Sequence, residues 1–121
     1  MAVIAAEIER RALAAVQIIA RMATVRAAYL FGSHVEGHPD QWSDIDIAVF
    51  MDGIETWDIE RRASAMAKVQ LEAGIDVEAH LFPAANLDHP EPASFTHYIL
   101  HHGIQLTPDA KSDPLRKQDP R

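Results

Sequence analysis

The chain has 121 residues, 11 basic against 18 acidic, a formal net charge of −7 and no cysteine. This length suits one domain with an ordinary hydrophobic core, and the missing cysteines exclude disulfides and thiolate zinc sites. The acidic balance argues against bulk nucleic-acid binding and against an anionic-membrane binder.

The first 22 residues carry Glu7, Glu9, Arg10, Arg11 and Arg21 within their apolar stretch. They therefore lack the uninterrupted apolar region of a secretory signal. No segment approaches the roughly 18 continuous apolar residues of a membrane span, so the expected location is cytoplasmic. Ile4, Ile8, Ala12, Ala15, Ile19 and Met22 recur at steps of three and four, which predicts a helix over 3–22. Val25 to Phe31 is a short apolar run that stops at Gly32 and reads as a strand. Ser33 to Gly37 reads as one helical turn with Ser33 as N-cap, and Gly37, Pro39 and Asp40 end it in a loop.

Asp44 to Met51 alternates. Asp44, Asp46, Ala48 and Phe50 share one face of a strand, and Ile45, Ile47, Val49 and Met51 share the other. After Asp52-Gly53, Thr56 reads as the N-cap of a helix running to about Ala73, with Asp58 and Glu60 in a first turn that favours acids. Gly74 is placed to close that helix. Ile75 to Phe82 alternates again, with Asp76, Glu78, His80 and Phe82 on one face and Pro83 as the stop. A last helix is predicted over about Ser94 to His102, closed by Gly103. Ile104 to Leu106 reads as a small strand or an extended end. Residues 1–106 form the predicted domain. From Thr107 the sequence is polar and holds three prolines, so 107–121 is expected to be a disordered tail.

Gly32-Ser33 and Asp44-x-Asp46, separated by ten residues, carry the chemistry. Carboxylates at i and i+2 of a strand point the same way, about 6.6–6.8 Å apart at Cα. Their side chains can converge on divalent ions, and Mg²⁺ suits carboxylate oxygens while keeping positions for water and phosphate. Without a cation two such charges repel, which is costly in a plain core strand. Gly32 lets the backbone approach a ligand closely, and Ser33 adds a hydroxyl at the start of a turn whose N–H groups can face an anion. Gly-Ser alone is an ordinary turn, and Asp-Ile-Asp alone is compatible with a solvated edge strand. Together, at ordinary residue frequencies, they arise by chance on the order of once per thousand chains this long.

This Gly-Ser-x10-Asp-x-Asp arrangement resembles the signature of the DNA polymerase β-like nucleotidyltransferase superfamily. In particular it is similar to the minimal nucleotidyltransferase (MNT) domain, the branch that includes MntA-type antitoxins. The likeness covers about residues 10–106, in element order as well as motif. It implies an α/β (α+β) fold, a small mixed β-sheet flanked by helices. It further implies that Gly32 and Ser33 hold a nucleoside triphosphate and that Asp44 and Asp46 bind Mg²⁺, two ions in all. A third carboxylate on a following strand would complete the site and help activate the acceptor hydroxyl. Asp76 and Glu78 are both candidates. Glu78 sits mid-strand, where Asp46 is easier to reach, and Asp76 beside Gly74 is compatible with a surface role.

His80 shares the Glu78 face, either lining the site or standing as a partly buried structural histidine. His97 and His101, at i and i+4, have zinc-ligand spacing but no third ligand placed by sequence. Arg61, Arg62 and Lys68 either touch phosphates or lie on an exposed helix face. Trp42 and Tyr29 read as core or loop-packing residues.

The reaction implied by the resemblance is transfer of AMP from ATP·Mg²⁺ to an acceptor hydroxyl with release of pyrophosphate. Stand-alone domains of this family are often antitoxins that adenylylate a tyrosine of a HEPN ribonuclease toxin, so a HEPN-type toxin is the expected partner. Two other readings stay open. One is a small-molecule, aminoglycoside-type nucleotidyltransferase, whose usual additional helical domain has no counterpart in this sequence. The other is a non-catalytic module that neutralises a partner by contact. Homo-oligomerisation stays open as well.

Overall fold

The N-terminal apolar stripe winds into α1 (Ala6–Ala20), burying Ala12, Ala15, Val16, Ile18 and Ile19. The computed structural model describes residues 5–37, 39–40 and 42–106. The start of the predicted helix and the expected 107–121 tail lie outside those residues. The chain then forms β1 (Val25–Phe31), the short helix α2 (Ser33–Glu36), β2 (Ile45–Met51), α3 (Ile59–Ala73), β3 (Val77–Pro83), α4 (Phe95–His102) and the two-residue β4 (Ile104–Gln105). Short 3₁₀ turns occupy Ile54–Thr56 and Ala84–Leu87.

The four strands make one mixed sheet in the order β3-β2-β1-β4. β1 runs antiparallel to both β2 and β4, and β2 runs parallel to β3. A parallel pair needs a long crossover, and α3 supplies it. The predicted alternation of β2 divides the core in two. Ile45, Ile47, Val49 and Met51 pack with residues of α1 and α3 in the larger cluster. Ala48 and Phe50 face the other way, with Ile99 of α4 and flanking Tyr29, Phe31, Phe82, Leu87 and Tyr98. Burying each large aliphatic side chain of the first cluster contributes about 1.5–3 kcal/mol as an upper estimate. The mixed sheet with helices on it is the architecture expected from the sequence. Among the described residues, no helix is long and apolar enough to cross a membrane.

Four local expectations are corrected. Gly32, not Ser33, is the N-cap of α2, with φ +88° and ψ −154°. Thr56 does not cap α3: it closes the 3₁₀ turn, donating its hydroxyl to the Gly53 carbonyl at 2.7 Å. Asp58 caps instead, its carboxylate accepting from the Arg61 N–H at 2.8 Å, a contact typically worth about 1 kcal/mol. β3 begins at Val77, so Ile75 and Asp76 precede the strand rather than open it, and Pro83 is its last residue, paired with Met51. Trp42 is 81% exposed and packs no core, while Tyr29 flanks the second cluster as expected.

Candidate functional site

β1 delivers the chain to the site and β2 and β3 supply its acids. Phe31, the last residue of β1, pairs with Asp46. Gly32 then turns the backbone over Asp46. A Cβ built on Gly32 would lie 2.7 Å from Asp46 Oδ2, so both the positive φ and the close approach require glycine here. The Gly32 carbonyl accepts from the Val35 and Glu36 N–H groups, each at 2.9 Å. Ser33 and His34 lie ahead of these bonds, where a helix satisfies no N–H of its own.

In the parallel β2–β3 register Asp46 lies opposite Glu78, and Ala48 lies opposite His80. The ligand atoms of Asp46, Glu78 and His80 all fall within 4.8 Å of one another. His80 Nε2 is 3.5 Å from Asp46 Oδ1 and 3.6 Å from Glu78 Oε1. These side chains keep 42% (His80), 24% (Asp46) and 50% (Glu78) of their surface, so the group is reachable from solvent. Two carboxylates and an imidazole fit a divalent cation. Asp44 is exposed, stands one residue before β2, and is not part of this three-residue group.

Asp76 is held elsewhere. Its carboxylate accepts from Arg11 Nη2, and Arg11 Nε donates to the Ala73 carbonyl at 2.7 Å. Gly74, at φ +131°, makes room for this arm, because the Arg11 guanidinium occupies the place of a Gly74 Cβ. The Arg11 hydrogen bond holds the Asp76 carboxyl below the usual carboxylate range, against a smaller opposing effect of burial and with a minor contribution from His34. The face-sharing argument that grouped Asp76 with Glu78 therefore stops at Val77.

Several residues that the sequence did not single out border the site. Tyr98 donates its hydroxyl to Glu36 Oε2 at 2.5 Å, tying α4 to the turn that follows Gly32. That bond, together with burial, pushes the Tyr98 phenol upward from its ordinary value. Phe95, 45% exposed, stands at 5.3 Å from the Phe31 ring and 5.6 Å from the Phe82 ring, and Phe31 lies 5.4 Å from the His80 ring. An aromatic ledge thus adjoins the carboxylates. Phe95 and Tyr98, three apart on one helix, were the available signal.

Arg61, Arg62, His97 and His101 are engaged locally, and Lys68 is exposed on α3. Arg61 covers the Trp57 ring at 4.4 Å, and Arg62 donates to the carbonyls of Trp57 and Ile54 at 3.1 and 2.8 Å. His101 Nδ1 donates to the His97 carbonyl at 2.9 Å, and neither histidine belongs to a three-ligand group among the described residues. A cavity of about 300 Å³ beside Asn86, His89, Glu91 and Ser94 is lined by none of the site residues.

A family model described as "Polymerase beta, Nucleotidyltransferase" matches residues 14–111. Two solved structures are similar. One is a crystal structure of a toxin–antitoxin with AMP-PNP, at 25% identity and TM-score 0.56, covering 92% of this chain and 82% of that one. The other is a toxin–antitoxin MntA-HpeT mutant in which two aspartates are replaced by glutamate, at 22% identity and TM-score 0.52, with the same coverages of 92% and 82%. Among curated proteins, none matches the chain.

Proposed function

The chain belongs to the polymerase β nucleotidyltransferase family, and on that premise we propose that it is a toxin–antitoxin partner protein that transfers AMP from ATP to a hydroxyl of its toxin. The observation that carries the reading is the Asp46–Glu78 pair on adjacent parallel strands, with the Gly32 turn pressed against Asp46. A nucleotidyl-transfer site needs converging acids beside a backbone that can approach phosphates, and these residues supply both. The likeness to a toxin–antitoxin with AMP-PNP supports the partner class and the nucleotide.

In this reading Asp46 and Glu78 hold a divalent cation, Mg²⁺ by the family resemblance, with Asp44 joining from the edge of β2. When bound, the cation would neutralise phosphate charge in the in-line transition state. Gly32 and Ser33 hold the outer phosphates. The acceptor oxygen forms its bond to the α-phosphorus as the bond to the β-phosphate oxygen breaks, releasing pyrophosphate. Glu78, the more exposed of the two carboxylates, takes the acceptor proton. Asp76 is set aside because Arg11 engages its carboxylate. Catalysis is then mainly positioning and charge neutralisation. The acceptor, a tyrosine of a HEPN-type ribonuclease toxin, follows from the resemblance.

The test is incubation of the protein with α-labelled ATP, Mg²⁺ and the product of the adjacent reading frame. Label on a tyrosine of that product, lost with Asp46→Asn, is the expected result. Protection against the toxin that persists unchanged in Asp46→Asn would replace catalysis with neutralisation by contact.

A further inference from the structure

His80 is the unusual member of the acidic group. It lies on the same face of β3 as Glu78, and its ring is set against Phe31 at 5.4 Å and a tilt of 57°. Its Nε2 points between the two carboxylates, 3.5 Å from one and 3.6 Å from the other. The His80–Asp46 contact is a hydrogen bond longer than the ordinary 2.7–3.2 Å and the His80–Glu78 contact is longer still, so the three groups converge without a tight bond among them. Ligands about 2.0–2.2 Å from one ion lie roughly 3–4 Å apart, which is the spacing of His80 Nε2 from each carboxylate, and all three ligand atoms fall within 4.8 Å of one another.

We infer that His80 is a direct ligand of the divalent cation, so that the Asp46–Glu78–His80 site selects a first-row transition-metal ion such as Mn²⁺ over Mg²⁺. The chemistry follows from the donor set. Mg²⁺ is hard, takes oxygen ligands and gives up its waters reluctantly. Imidazole favours transition metals, and affinity rises along that series from Mn²⁺. Replacing one oxygen donor by a nitrogen therefore moves the preference away from Mg²⁺, while Asp46 and Glu78 keep the site compatible with phosphate oxygens. The inference rests on the metal-dependent reading of the site given above and replaces only its assignment of Mg²⁺ as the preferred cation.

Binding of Mn²⁺ alone, followed by pulsed electron paramagnetic resonance with Mg²⁺ as competitor, tests it without reference to activity. Wild-type protein is expected to show modulation from a coordinated imidazole nitrogen, and ¹⁵N-histidine labelling to change that modulation with no substitution in the chain. In His80→Asn the modulation disappears and the Mn²⁺/Mg²⁺ affinity ratio falls about tenfold. Mn²⁺ bound in an Asp46-dependent manner without nitrogen modulation overturns the role of His80 and leaves the carboxylate site standing. Nitrogen modulation that survives in His80→Asn overturns it too, by assigning the ligand to another histidine. Absence of any Mn²⁺ binding that Asp46→Asn abolishes removes the metal reading itself, and this inference with it.

Discussion

The two faces of β2 are built from the same seven residues and do opposite things. On one face Ile45, Ile47 and Val49 have no exposure at all, sealed with α1 and α3. On the other, Asp46 keeps a quarter of its surface at the mouth of the sheet, and only Ala48 and Phe50 further along are covered, by Ile99 of α4 and its neighbours. α4 and the Ala84–Leu87 turn cover that second face only in part. In the proposed function, the contrast separates stability from chemistry along a single strand. The closed face is a packed interior where a lost methylene is felt, and the open end gathers like charges that contribute nothing to folding without a counter-charge.

The largest expected effect comes from breaking each face in turn. Asp46→Asn should reduce AMP transfer by about 10³-fold with a melting temperature close to wild type. Ile47→Ala, one residue away, should lower stability by about 2–5 kcal/mol in urea titration, with the activity of the remaining folded protein largely kept. A stability loss in Asp46→Asn as large as that of Ile47→Ala would show that the two faces are not separable. Gly32→Ala comes next. The strained φ and the clash with Asp46 Oδ2 should destabilise the fold by about 1–3 kcal/mol, and transfer should fall further than stability does because the turn is pushed off the acid. A smaller effect is expected of Tyr98→Phe, which removes only the bond to Glu36. A loss of about 0.5–1 kcal/mol, seen as a lower unfolding midpoint together with a raised KM for ATP, would mark α4 as a support for the turn.

The same contrast explains what the sequence could reveal. Period-two alternation over 45–51 was readable because one face had to be apolar, and of the Gly-Ser and Asp-x-Asp spacing the structure brings together Gly32 and Asp46, with Asp44 outside the acidic group. Glycine at 32 and 74 was readable as punctuation, but its tight neighbours were not, since those come from Asp46 and from Arg11 on distant elements. Thr56 and Asp58 are both good caps. The choice fell to Asp58 because Ile54–Thr56 is drawn into a 3₁₀ turn and Arg62 bonds the Ile54 and Trp57 carbonyls. Asp76 and Glu78 had equal standing by parity, and they are separated by the start of β3 at Val77, by the Asp46–Glu78 register and by Arg11, a partner 65 residues from Asp76.

That separation gives the smallest of the predicted effects and a sharp one. Arg11 holds the Asp76 carboxyl below its ordinary value of 3.8. A depressed folded-state value means the pair stabilises the fold at pH above the unfolded value, and that this stabilisation is lost as pH falls through the folded one. The Asp76 side chain is 41% exposed, so screening limits the effect to about 0.2–0.5 kcal/mol. Asp76→Asn should therefore be slightly less stable than wild type at pH 7. The gap should start to close as pH falls below about 4, and AMP transfer should be unchanged throughout. Urea midpoints across that range, with labelled-ATP transfer at neutral pH, make the check. A large loss of transfer with no pH-dependent gap in stability would move Asp76 from the structural side of the molecule to the catalytic one. It would also mean that Arg11 releases the carboxylate when nucleotide binds.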